Sequence, residues 1–139
     1  MTRTGKTVFA LVVVAVLAGA VLLWRLGSGD EPVELSGGTD SYALRVRFDG
    51  PTTVGESALN IEVADTAGTP VSADEVTVEP VMPEMGHAEP AVAATAEGVP
   101  GRYRATGARL TMAGTWEITV TVRSGGKQEA AVFPIAVRS

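Results

Sequence analysis

Beyond residue 41 the chain alternates apolar and polar positions with a period of two. Leu44, Val46 and Phe48 enclose Arg45 and Arg47, Leu59, Ile61 and Val63 enclose Asn60 and Glu62, and Val76 and Val78 enclose Thr77. Trp116, Ile118, Val120 and Val122 alternate with Glu117, Thr119 and Thr121, and Ala131, Phe133, Ile135 and Val137 form a last stripe. Successive side chains of a strand point to opposite faces, so each run predicts a strand with one buried face. Turn signals separate the runs: Asp49-Gly50-Pro51, Thr66-Ala67-Gly68, Gly98-Val99-Pro100-Gly101, Ala113-Gly114 and Ser124-Gly125-Gly126. No helical period is sustained after residue 27. Adding Ala91–Ala96 and Arg102–Thr106 gives about seven strands, the number and size of an immunoglobulin-like antiparallel β-sandwich. The expected fold class is therefore all-β. Gly125-Gly126 is expected to close a hairpin and Pro134 to mark an edge strand. Trp116 is expected to be the large central core residue, with Tyr103 partly buried.

The N-terminal pattern is different. The 18 residues Thr7 to Trp24 carry no charge, and as a helix they extend about 27 Å, close to the ~30 Å of a bilayer core. Arg3 and Lys6 precede the run and Arg25 follows it. The positive-inside rule then places the N-terminus in the cytoplasm and the rest outside, as a single-pass membrane protein. Residues 1–26 are read as an uncleaved transmembrane anchor; the alternative is a signal peptide cleaved at Ala18-Gly19-Ala20. Residues 27–41, GSGDEPVELSGGTDS, are rich in Gly, Ser and acids and are expected to be a flexible acidic linker. The domain is expected to occupy 42–139.

Charge and composition narrow the function. Of 139 residues, 11 are Lys or Arg and 16 are Asp or Glu, a net charge of −5. Beyond residue 26 the balance is 8 against 16, net −8, which argues against nucleic acid as a partner. Cysteine is absent, removing disulfides, thiolate metal sites and thiol catalysis. His87 is the only histidine, so a multi-histidine metal site is impossible. No nucleophile-elbow, phosphate-loop or metalloprotease motif occurs, and no enzyme activity is expected. Arg45/Arg47 and Arg102/Arg104 are each i, i+2 and share a sheet face; solvated positions opposite an apolar stripe account for them better than an anion site does.

The methionines carry the most chemistry. Apart from Met1 they are Met82, Met85 and Met112, and His87 lies among them in Val81-Met-Pro-Glu-Met-Gly-His-Ala-Glu-Pro90. Thioethers and imidazole suit Cu(I), and in an oxidising compartment thioethers persist better than thiols. Pro83 and Pro90 restrict the segment, and Gly86 permits a turn. Parity puts Met82 on the inward face of its strand. Met112 shares parity with Trp116, unless Gly114 breaks the register. On this reading Met82 and Met112 converge at one rim, closed over by Met85 and His87, with Glu84 and Glu89 as candidate partners for the imidazole. Methionine is also an ordinary core filler, and a metal-free contact loop is the alternative.

MPEMGH at 82–87, Pro90, Gly101-x-Tyr103 and Met112-Ala-Gly-Thr-Trp116 together resemble the YtkA-like/FixH-like family over roughly residues 40–139. The resemblance implies a small bacterial protein with an N-terminal membrane helix and an exported immunoglobulin-like sandwich. FixH-like members are associated with copper-pump and oxidase-assembly operons. The resemblance therefore implies Met82, Met85, His87 and Met112 as copper ligands, with a copper transporter or oxidase-assembly protein as partner.

Overall fold

Alternating stripes need a shared interior, and the chain supplies it by stacking two antiparallel sheets. The computed structural model describes residues 32–139. The predicted anchor at 1–26 lies outside the described residues, among which no helix is long and apolar enough to cross a membrane. The strands are β1 (Glu34–Gly38), β2 (Tyr42–Phe48), β3 (Gly55–Asp65), β4 (Glu75–Met82), β5 (His87–Ala88), β6 (Val92–Ala93), β7 (Thr95–Ala96), β8 (Arg102–Leu110), β9 (Gly114–Ser124) and β10 (Lys127–Val137). One sheet runs β1-β2-β3-β8-β7; the other runs β10-β9-β4-β5, with β6 also pairing β4. Every apolar stripe named above is buried, and together they form one core with Met82, Tyr103 and Leu110. The result is a β-sandwich.

The expected linker is corrected in its second half. Glu34–Gly38 pair antiparallel with β2, from Glu34↔Arg47 to Gly38↔Ala43. The glycines that suggested flexibility permit close approach instead: a Cβ on Gly37 would stand 2.8 Å from the Phe133 ring, and one on Gly38 2.7 Å from the Tyr42 carbonyl oxygen. The sandwich therefore begins with Glu34 rather than Tyr42.

Among the described residues ten strands form where about seven were expected. Besides β1, the short β5 is added, and Ala91–Ala96 divides. β6 pairs with β4 in one sheet and β7 with β8 in the other, so this stretch crosses between layers. β8 also runs further than expected. Its register against β3 shifts between Ser57 and Leu59, where Gly107 takes a φ of 81°. The bulge reverses the parity of inward residues, from Tyr103 and Ala105 to Ala108 and Leu110.

Both prolines within strands sit where a missing N–H does least harm. Pro80 accepts a bond from the Glu89 N–H at 2.9 Å on the side facing β5. A strand residue's N–H and C=O point to the same side, so the missing donor falls where β4 changes partner from β6 to β5. Pro134 lies on β10, an edge strand as expected. Arg138 bonds Thr52 and Val54 outward from β10, so residues of the same parity, Pro134 included, face the edge. Gly125 and Gly126, with φ of 59° and 81°, close the β9–β10 hairpin as anticipated.

Three arginines of the first sheet's outer face, Arg45, Arg102 and Arg104, are matched with acids. Arg45 lies 3.4 Å from Glu34 and 3.5 Å from Glu62, and Arg102 3.6 Å from Glu62. Arg104 pairs with Asp49, which also accepts a 2.8 Å bond from Asn60. The hydrogen bond from Arg104 holds the Asp49 carboxyl below its ordinary value against partial desolvation, helped by Asn60 and the Arg47 charge. A depressed folded-state pKa contributes stability fully above the unfolded value, about 3.9 for aspartate, and loses it as pH falls through the folded value. Asp49→Asn is therefore expected to flatten the acid limb of the stability profile below about pH 4. Urea unfolding as a function of pH checks this; an unchanged acid limb would contradict it.

Candidate metal centre

The site is built on the end of β4. Its inward parity runs Val76, Val78, Pro80, Met82, and Met82 is 3% exposed. Pro83 has no N–H with which to extend the ladder, and it opens a 3-10 turn, Pro83–Met85. Gly86 ends that turn in the left-handed region, with φ 58° and ψ 31°, and donates to the Pro83 carbonyl at 3.1 Å. The chain thereby reverses, and His87 comes directly opposite Met82, with Ala88 opposite Val81. Met85, on the turn, is 65% exposed.

The second segment docks against this hairpin through Trp116. The indole is fully buried, and its N–H donates to the Met112 carbonyl at 2.9 Å. The His87 ring stands edge-on to it, with centroids 6.2 Å apart and planes at 81°. Gly114 has a φ of 142°, and a Cβ there would lie 2.8 Å from the Met82 methyl. The end of the Met82 thioether therefore occupies the space that the glycine leaves open. Hairpin and turn interlock: Met82 over Gly114, His87 against Trp116, Trp116 tied back to Met112.

One expectation is corrected. Met112 does not turn inward beside Met82; it is 40% exposed. The conformation of Gly114 breaks the parity that Trp116 and Ile118 would otherwise have extended, so Met112 sends its carbonyl rather than its thioether to the core. Met82 is inside as expected, and Met85, His87 and Met112 have their side chains open to solvent. The positions named in advance thus share one end of the sandwich, with one thioether inside it and two outside.

Glu89 proves more than a polar loop residue. It is 8% exposed, and its Oε1 lies 2.7 Å from His87 Nε2. Glu84, the other acid considered, makes no such bond among the described residues. The His87 bond holds the Glu89 carboxyl below its ordinary value against desolvation, with the Thr111 hydroxyl and the charges of His87 and Arg109 acting the same way. The i, i+2 spacing of His87 and Glu89 was the available signal, since it puts both on one face of an extended segment. Among the described residues no group of three His, Asp or Glu side chains is placed to hold a metal. The other candidate donors at this end of the sandwich are thioethers, which are soft donors.

Comparison with known proteins supports the YtkA-like part of the resemblance. No curated protein and no solved structure matches the chain. The YtkA-like family model matches residues 37–121, from the end of β1 into β9, and so includes both MPEMGH and MAGTW. The match covers more than half of the chain, and the chain belongs to the YtkA-like family.

Proposed function

We propose that this is a non-enzymatic, membrane-tethered, extracytoplasmic Cu(I)-binding module of immunoglobulin-like type. It serves copper delivery, oxidase assembly or copper tolerance beside a copper transporter or oxidase-assembly protein. Met82, Met85 and Met112 supply thioethers and His87 the imidazole. The observation that carries the reading is the interlock at Trp116, by which the only histidine and every methionine after Met1 belong to one end of the sandwich. The donor types fit: a monovalent soft cation accepts thioethers and tolerates low coordination numbers. The hairpin is held by Pro83, Gly86 and the β4–β5 pairing, so little ordering accompanies binding.

Competition titration of the full-length chain against a Cu(I) chelator tests this. His87→Ala and Met85→Leu are expected to weaken Cu(I) binding severely while leaving the fold intact, because neither side chain belongs to the core. Wild-type affinity in both variants would falsify the ligand set.

The exposure of Met85 and Met112 favours a second reading. Exposed methionines at one end of a rigid domain also make an adaptable apolar contact surface. A metal-free module docking on a membrane complex would keep its function in Met85→Leu and Met112→Leu, since apolarity and approximate shape survive. Crosslinking to the partner would then be insensitive to copper chelation.

A further inference from the structure

We propose that Glu89 is a positioning residue of this centre: it holds the His87 ring by Nε2 and thereby makes Nδ1 the nitrogen that meets the metal. The ligating half of this inference rests on the copper reading above; the positioning half concerns the metal-free protein alone.

A carboxylate withdrawn from water needs compensation. Among the described residues Glu89 is the one charged residue in the buried class, and it faces an imidazole at 2.7 Å. It is mounted on the sheet rather than on a mobile loop. Its backbone N–H donates to Pro80 at 2.9 Å, and the adjoining Ala88 pairs with Val81. A neutral imidazole has one N–H and one lone pair. With an ionised carboxylate at Nε2, the proton belongs on Nε2 and the lone pair on Nδ1, which makes no protein hydrogen bond among the described residues. The Trp116 ring limits rotation on another side, edge-on at 6.2 Å. A carboxylate on one imidazole nitrogen orients the ring and raises the basicity of the other nitrogen, the arrangement that metal-binding histidines use.

Because His87 is the only histidine, long-range proton–nitrogen NMR of the full-length chain reports on this ring alone. In metal-free protein at mildly alkaline pH, a solvent-protected proton is expected on Nε2 and none on Nδ1. Addition of Ag(I), a closed-shell probe for Cu(I), is expected to shift Nδ1 while Nε2 keeps its proton. Glu89→Leu is expected to lose the protected proton and about 10–100-fold in Cu(I) affinity. Glu89→Gln, which retains an acceptor oxygen, is expected to restore most of both. An unprotected Nε2, silver on Nε2, or wild-type affinity in a folded Glu89→Leu overturns the proposal. The nitrogen assignments need only wild-type protein, so a variant that fails to fold does not spoil the test. A protected Nε2 proton with no binding of either metal ion overturns the copper reading and the ligating role of Nδ1, and leaves the hold of Glu89 on His87 standing.

Discussion

Trp116→Ala is expected to be the most damaging single substitution, costing about 3–5 kcal/mol of folding stability. Domains of this size are stable by only about 5–15 kcal/mol, so the variant is expected to sit near the edge of folding. The indole is fully buried between the sheets. Its removal leaves a cavity, deprives the Met112 carbonyl of its donor and removes the surface against which the His87 ring stands. Urea unfolding is the measurement: the midpoint should fall sharply with the slope unchanged. Trp116→Phe separates the contributions. It keeps most of the ring and loses the N–H bond, for an expected cost of about 1–3 kcal/mol. If the alanine variant unfolded at the wild-type urea concentration, Trp116 would not be the central packing element described above.

Gly101→Ala is expected to be the second most damaging, although it adds only a methyl group. Gly101 has a φ of 76°, and a Cβ there would stand 2.5 Å from the Val63 carbonyl oxygen and 3.0 Å from the Pro70 Cβ. The neighbouring atom is backbone of a central strand and cannot swing aside. Its shift would strain the 2.7 Å bond from the Val63 N–H to Gly101 and the 3.0 Å bond from Val71 to Val63. The left-handed conformation alone costs an L-residue about 1–2 kcal/mol, and overpacking adds about 1–3 kcal/mol. Gly98→Ala is the control. Its φ is 78°, yet nothing lies within 4 Å of the added Cβ, so only the conformational cost of about 1–2 kcal/mol applies. Equal destabilisation of the two variants would show that the close approach at Gly101 contributes nothing.

Much of this protein is determined by local chemistry that acts the same way wherever the chain happens to go. The period of two decided which residues of β2, β3, β4, β9 and β10 face inward, because pleating leaves a strand no other arrangement. Gly125-Gly126 and Pro134 likewise announced a hairpin and an edge, since both act through backbone conformation and donor count. The soft donors of the MPEMGH segment were equally visible, as was the inward parity of Met82.

Elsewhere the partners lie far away along the chain, and only the tertiary structure decided the outcome. Gly37 looked like linker because composition does not reveal that Phe133 presses against it. The parity of β8 reversed at Gly107 because two strands of unequal residue count had to stay paired. Met112 faces outward because the conformation of Gly114 breaks the parity, and the room that glycine leaves holds the Met82 methyl, a contact across about thirty residues that no periodicity carries. Glu89 stands 8% exposed for a similar reason: whether an acid beside a histidine is solvated or buried depends on the strand beneath it. Periodicity is local and survives in one dimension, whereas burial, close approach and the choice of hydrogen-bond partner are properties of surfaces that exist only once the sheets have met.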